Sequence, residues 1–256
     1  QNLASVVTSI GLDHLDWLPK NEQTIEKIMT KDNRVISKLL PLKTYSVQEV
    51  LAGLKNTCDK FKSNLYGLMI HDADDLNLVD FKLVIDELIA LRKRDIKIGV
   101  SVYDVSQVFE SYNIYKFDMV QIPLNPLDQR FNTKEFIEFT KFNDIEVHVR
   151  SIFLQGLLLK DQEGIPRALI KVIPYINAIY ELSTDLGLSV YDVCLLFVFN
   201  KSWVSHVLVG LDNVEQANTL IDRMKQLMNN KYKLDFSGLN CTDENIINPV
   251  KWSHEN

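Results

Sequence analysis

Short apolar runs rich in β-branched residues alternate along this chain with longer segments whose apolar residues recur at helical spacing. "VISKL" (residues 35–39) reads as a buried strand. "YSVQEVLAGLKNTCDKF" follows as a helix, with Ser46 as N-cap and Glu49 three residues on, a capping-box pattern. The alternation then repeats. "YGLMIH", "IKIGVSV", "DMVQIPL", "IEVHVRSIFL" and "SHVLVG" read as strands. "LVDFKLVIDELIALRKR", "VSQVFESYN", "KEFIEFTKFN", the pair "ALIKVIPYINAIYELSTDLG" and "SVYDVCLLFVFNKSW", and "NVEQANTLIDRMKQLMNN" read as helices. With "LDHLDW" near the start, the pattern predicts seven strands, each followed by helix. Strict alternation requires parallel strands joined by crossover helices. The expected fold class is therefore α/β, a (β/α)8 TIM barrel lacking its first strand. "NLASVVTSIG" reads as a first helix, and the strand before it would precede Gln1. No internal repeat or low-complexity linker interrupts the pattern, so residues 1–256 are expected to form one domain.

Composition narrows the function. Hydrophobic residues make up 46% of the chain and charged residues 24%, as in ordinary globular proteins. A net charge of -6 argues against broad nucleic-acid binding, which needs basic surface, and against anionic membrane surfaces. The longest apolar run, "VCLLFVF", is too short to span a bilayer, and no signal sequence opens the chain. Cys58, Cys194 and Cys241 are widely spaced and odd in number. They fit reduced thiols and a cytoplasmic protein better than a disulfide framework or a zinc site. No glycine-rich phosphate loop follows any strand, which removes the usual dinucleotide and P-loop signatures.

Barrel chemistry sits at the C-terminal ends of strands. There the sequence offers Asp16, Lys38 and His71 on three successive strands, then Ser101, Gln121, Asn125, Arg150 and Ser151. Each has a plainer reading. A strand-end acid such as Asp16 is often a cap or turn residue. Lys38 can simply snorkel from the rim. His71, like His14 and His148, can be structural. Asp72, Asp74 and Asp75 read as a solvated loop and helix N-terminus rather than a metal cluster, and no metal is expected.

Taken together, "HLDW", "VISKL", "GLMIHDADDL", "KIGVSVYD", "MVQIPLNPLDQRF", "VHVRSIFLQGLLL", "VLVGLDNVEQANTLI" and "NPVKW" resemble the aldo-keto reductase family over nearly the whole chain. "QIPLNPLDQRF" and "VRSIFLQGLLL" are similar in particular to a bacterial subgroup found among surface-polysaccharide biosynthesis enzymes. The resemblance implies a carbonyl oxidoreductase using NADP or NAD, with a small-molecule carbonyl substrate, here of a sugar or sugar nucleotide. It assigns Asp16, Lys38 and His71 to three of the family's four catalytic roles. In that arrangement a tyrosine gives its proton to the carbonyl oxygen, a lysine acidifies it, an aspartate holds the lysine and a histidine orients the carbonyl. Ser101, Gln121, Arg150, Ser151 and Gly210 fall at cofactor-binding positions.

The departures are specific. After Asp16 the chain reads "DWLPKNEQT", with no tyrosine where the family has one, and Asn21 cannot donate a proton of suitable acidity. Tyr45, from the next loop, is a replacement to consider. Val102 stands in place of the family's asparagine after the serine. No basic clamp for a 2′-phosphate is visible around Gly210, Gln216 and Leu220. Two further readings follow: a catalytically inactive reductase-fold protein that binds or regulates, and different chemistry, such as a lyase or epimerase, at the same mouth.

Overall fold

The structure is a computed structural model, and it describes residues 10–12, 34–210, 214–228, 232 and 234–252. The strands are β1 (Ile10–Leu12), β2 (Val35–Lys38), β3 (Leu65–Ile70), β4 (Lys97–Ser101), β5 (Met119–Pro123), β6 (Glu146–Arg150) and β7 (His206–Val207). The helices are α1 (Val47–Phe61), α2 (Phe81–Arg92), α3 (Val105–Ile114), α4 (Lys134–Phe142), α5 (Ile173–Leu186), α6 (Val190–Phe199), α7 (Val214–Met228) and α8 (Glu244–Ile247). The strands follow one another in the sheet in chain order, and the pairs from β1 to β5 are parallel. This is the expected α/β fold of parallel-barrel type, with no strand ahead of β1 among the described residues.

The chain divides into two compact units. One comprises Gln1–Ile122 and Glu138–His148, the other Pro123–Ile137 and Val149–Asn256. In the first unit, sheet register sets which side chains share a face. Met69 lies opposite Gly99, which lies opposite Met119. Side chains alternate along a strand. Ile36, Met69 and Met119 therefore gather on one face, where they form a small buried cluster. Gly67 and Gly99 belong to the same face and make room for it. A Cβ on Gly67 would sit 2.5 Å from Met119 Cε, and one on Gly99 would sit 2.8 Å from Met69 Sδ and 2.9 Å from the Met119 carbonyl. The opposite face carries Leu68, Ile70, Ile98, Val100, Val120 and Ile122, all buried.

From α1 onward the helix predictions hold closely. Ser46 caps α1 in a reciprocal capping box with Glu49. In the second unit, Ser189 and Asp192 form another at α6. There the run "VCLLFVF" lies in the core, and α5 ends at Gly187 in the left-handed conformation that glycine adopts freely. No single helix among the described residues is long and apolar enough to cross a membrane.

Three expectations need correction. Ile10 and Gly11, read as the end of a helix, are in β1, because they pair with Val35 and Ile36; the rest of that predicted helix lies outside the described residues. The run 145–154 is not one strand. It stops at Arg150, and the chain turns through positive φ at Ser151, Leu154, Gln155 and Gly156. The predicted strand 205–210 is ordered as a strand only at His206–Val207.

Candidate active site

Lys38 is the last residue of β2, and His71 follows the last residue of β3. Lys38 pairs with Met69, so the lysine shares a face with Met69 and, two residues on, with His71. Ser101 ends β4 opposite Gln121 on β5, and both lie on that same face, two residues beyond Gly99 and Met119. Four polar side chains thus occupy one face of four consecutive parallel strands, at or beside their C-terminal ends. The Ile36–Met69–Met119 cluster lies on the N-terminal side of them. Lys38 and His71 are half-buried, and Ser101 and Gln121 are buried. Chemically the set offers an ammonium, an imidazole, a hydroxyl and a primary amide. Asp16, expected to join Lys38 and His71, lies outside the described residues, as does His14.

The loops behind Lys38 and His71 are tied together. Leu42 donates its N–H to Asp75 Oδ2 at 3.0 Å. Lys43 Nζ contacts Asp72 at 2.7 Å and Asp74 at 3.2 Å. Asp75 corrects the reading of this acidic run as wholly solvated, for its side chain is buried with 1% exposure. Burial pushes its carboxyl up, against the pull of the Leu42 N–H, and Asp72 and Asp74 add to the rise. Asp72 moves the other way. Burial opposes its ionisation, but the Lys43 ammonium and the Asp74 N–H hold its carboxyl below the usual range.

A second polar group on the first unit's sheet was not anticipated. β3 carries one residue more than β2 at its start, since Val35 faces Leu65 and Ile36 faces Gly67. Bulges of this kind re-aim a side chain, and Tyr66 packs against the methionine cluster. Its hydroxyl donates to Glu146 Oε1 at 2.6 Å, Lys97 Nζ contacts the same oxygen, and His148 Nε2 lies 3.3 Å from Oε2. The Arg34 and Lys97 cations stand 5.0 and 5.3 Å from the Tyr66 ring centre. Burial would raise the Glu146 carboxyl, but His148, Lys97 and Tyr66 outweigh it and hold the carboxyl at about 2. Tyr66, Lys97 and Glu146 belong to the N-terminal ends of their strands, opposite to the ends that carry Lys38 and His71. The sequence held a signal for this group. "EVHVR" alternates polar and apolar residues, so one face of β6 must carry Glu146, His148 and Arg150.

In the second unit, Arg150 ends β6 and its Nη1 lies 3.4 Å from Ser151 Oγ. Ser151 has φ 60°, and its carbonyl accepts from Asn125 Nδ2 at 3.1 Å. Asn125 Oδ1 accepts from the N–H groups of Leu127 and Asp128. Asp128, fully buried, takes a two-pronged ion pair from Arg130. The motif "NPLDQR" therefore builds a rigid loop that supports Ser151, and Asn125 is engaged in structure rather than facing a ligand. Gly210 is exposed, and a Cβ there would meet nothing within 4 Å.

The Aldo/keto reductase family model matches residues 21–233. The chain belongs to the aldo/keto reductase family. The match takes in every expected site residue except Asp16, which precedes it. No curated protein matches the chain significantly. Solved structures of aldo-keto reductases share the fold. The thermostable enzyme Tm1743, solved in complex with the inhibitor epalrestat, aligns with a TM-score of 0.58 at 16% identity over 85% of this chain and 74% of its own. The aldo-keto reductase AKR11C1 from Bacillus halodurans aligns in its apo form with a TM-score of 0.59 at 17% identity, over 84% of this chain and 73% of its own. Its holo form gives 0.65 at 14% identity, over 86% and 75%. At such identities these structures speak to the fold of an aldo/keto reductase and not to its substrate.

Proposed function

We propose that this protein is a carbonyl oxidoreductase that takes NADP or NAD and acts at the face carrying Lys38, His71, Ser101 and Gln121. The observation that carries the reading is that those four side chains share one face of consecutive parallel strands, Lys38, His71 and Ser101 at or beside the C-terminal ends and Gln121 opposite Ser101, in a chain of this family. The donor set fits a nicotinamide. Ser101 and Gln121 sit side by side as a hydroxyl and an amide, complementary to a carboxamide group. When bound, the cofactor supplies the hydride. His71 would orient and polarise the carbonyl oxygen, the Lys38 ammonium would stabilise negative charge as it develops there, and Tyr45 or solvent would give the proton that completes the alcohol. Arg150, Ser151 and Gly210 are proposed as further cofactor contacts. We further propose Asp16 as the partner that holds Lys38. The similarity of "QIPLNPLDQRF" and "VRSIFLQGLLL" to the polysaccharide-cluster subgroup supports a sugar or sugar-nucleotide carbonyl as substrate. The three free cysteines support a cytoplasmic setting.

A second reading is favoured by one specific feature: the first tyrosine in the sequence is Tyr45, so none lies between Asp16 and Lys38. On that reading the protein binds without reducing. Calorimetry with NADPH and NADH, followed by turnover on a broad carbonyl panel, separates the two. Binding with turnover, abolished by Lys38→Met, is the expected result. Binding without turnover selects the second reading, and no binding at millimolar cofactor overturns the first.

A further inference from the structure

Asp75 is buried at 1% exposure, yet its Oδ1 has no hydrogen-bond partner among the described residues. The other oxygen accepts the Leu42 N–H, 33 residues away in sequence, on the loop that follows β2. Lys43, the next residue on that loop, reaches Asp72 and Asp74 on the loop that follows β3. These contacts join the two loops just behind Lys38 and His71. In the strands themselves, Lys38 and His71 are related through the Lys38–Met69 pair and the Leu39 N–H to Met69 carbonyl bond at 2.8 Å.

We infer that Asp75 and Lys43 are positioning residues, which clamp the loop after β2 to the loop after β3 and thereby set Lys38 against His71. Asp75 acts through its part-buried bond to the Leu42 N–H. Lys43 acts from the surface, through two carboxylates. The work of the clamp depends on the oxidoreductase reading, but its existence does not.

The test uses the full chain with 15N-labelled histidine, the His71 ring resonances being assigned with His71→Gln, together with amide exchange of residues 39–46 and 71–80. Asp75→Ala should speed exchange of the Leu42 N–H at least tenfold, loosen both loops together and move the His71 ring resonances. Asp75→Asn retains a carbonyl acceptor and should restore the wild-type behaviour of Leu42. Lys43→Ala should move the His71 resonances as well, and Lys43→Arg should return them. Should Asp75→Ala fail to fold, the Lys43 pair decides. Exchange that quickens in 71–80 alone, or His71 resonances that stay fixed in the folded alanine variants, overturns the inference. If the wild type reduces a carbonyl, the alanine variants should lose at least fivefold in kcat with cofactor affinity unchanged, and lost affinity with kcat intact overturns the clamp. If it reduces none, the oxidoreductase reading fails while exchange and resonance still decide the clamp.

Discussion

Glu146 gathers a phenol, an ammonium and an imidazole around one carboxyl. Its carboxyl is held at about 2 against an ordinary 4.5, with 23% of its side chain exposed. The native pKa lies below the unfolded one. The stabilisation is therefore complete above about pH 4.5 and is lost as pH falls toward about 2. A shift of this size corresponds to about 3 kcal/mol before solvent screening, and on the order of 2 kcal/mol is a fair expectation. Glu146→Gln should lower unfolding free energy by about that amount at pH 7 and flatten its decline between pH 4.5 and 2, measured by urea titration. Both Glu146 and Asp75 escaped residue-type reasoning for the same cause. Their partners lie far off in sequence, Lys97 at 49 positions and Leu42 at 33. The strand-end places of Lys38 and His71 were legible because such ends are marked locally, by the exhaustion of an apolar run.

At the scale of elements, periodicity and cap chemistry carried most of the fold. The capping box at Ser46 could be read directly, because both partners lie within three residues. Ser46→Ala should cost about 1 kcal/mol, seen as a lower midpoint in thermal unfolding. Register was less legible. Gly67 and Gly99 look like weak points in their strands, yet they are the slots into which Met119 and Met69 fit. Gly99→Ala should cost about 1–3 kcal/mol because the Met119 carbonyl, being backbone, cannot step aside. Gly210→Ala, in open space, should be near neutral by the same denaturant assay. The ends of the sixth and seventh strands were misjudged because apolar residues continue past them. "SIFL" and "LVG" are apolar for packing or by chance, and hydrophobicity alone does not distinguish a strand from a turn that is buried.

At the scale of the molecule, thiol chemistry reports on the fold as a whole. Burial pushes the Cys194 thiol far up, and Cys241 is also buried, while Cys58 is half-buried with a smaller rise from the same cause. A disulfide reagent at pH 8 should therefore modify Cys58 alone in the native protein and all three cysteines after unfolding, counted by mass spectrometry. Ligand linkage gives a second global test. A nicotinamide cofactor at a hundred times its Kd should stabilise the chain by about 2.7 kcal/mol, and a thermal midpoint that rises with cofactor concentration would show it. Family and fold class were accessible from the sequence because they rest on repetition along the chain. For a substrate class the sequence offers resemblance alone, since no periodic pattern encodes it.

The methionines that fill the glycine slots have a consequence in oxidation chemistry. Met69 and Met119 are fully buried, whereas Met228 is half exposed. A thioether converted to its sulfoxide becomes larger and polar, which a space defined by absent Cβ atoms cannot take in. Peroxide should therefore mark Met228 at once and the inner pair only when the sheet opens. The ratio of the two rates makes the protein its own chronometer of opening. The inner oxidation, once made, bars the return.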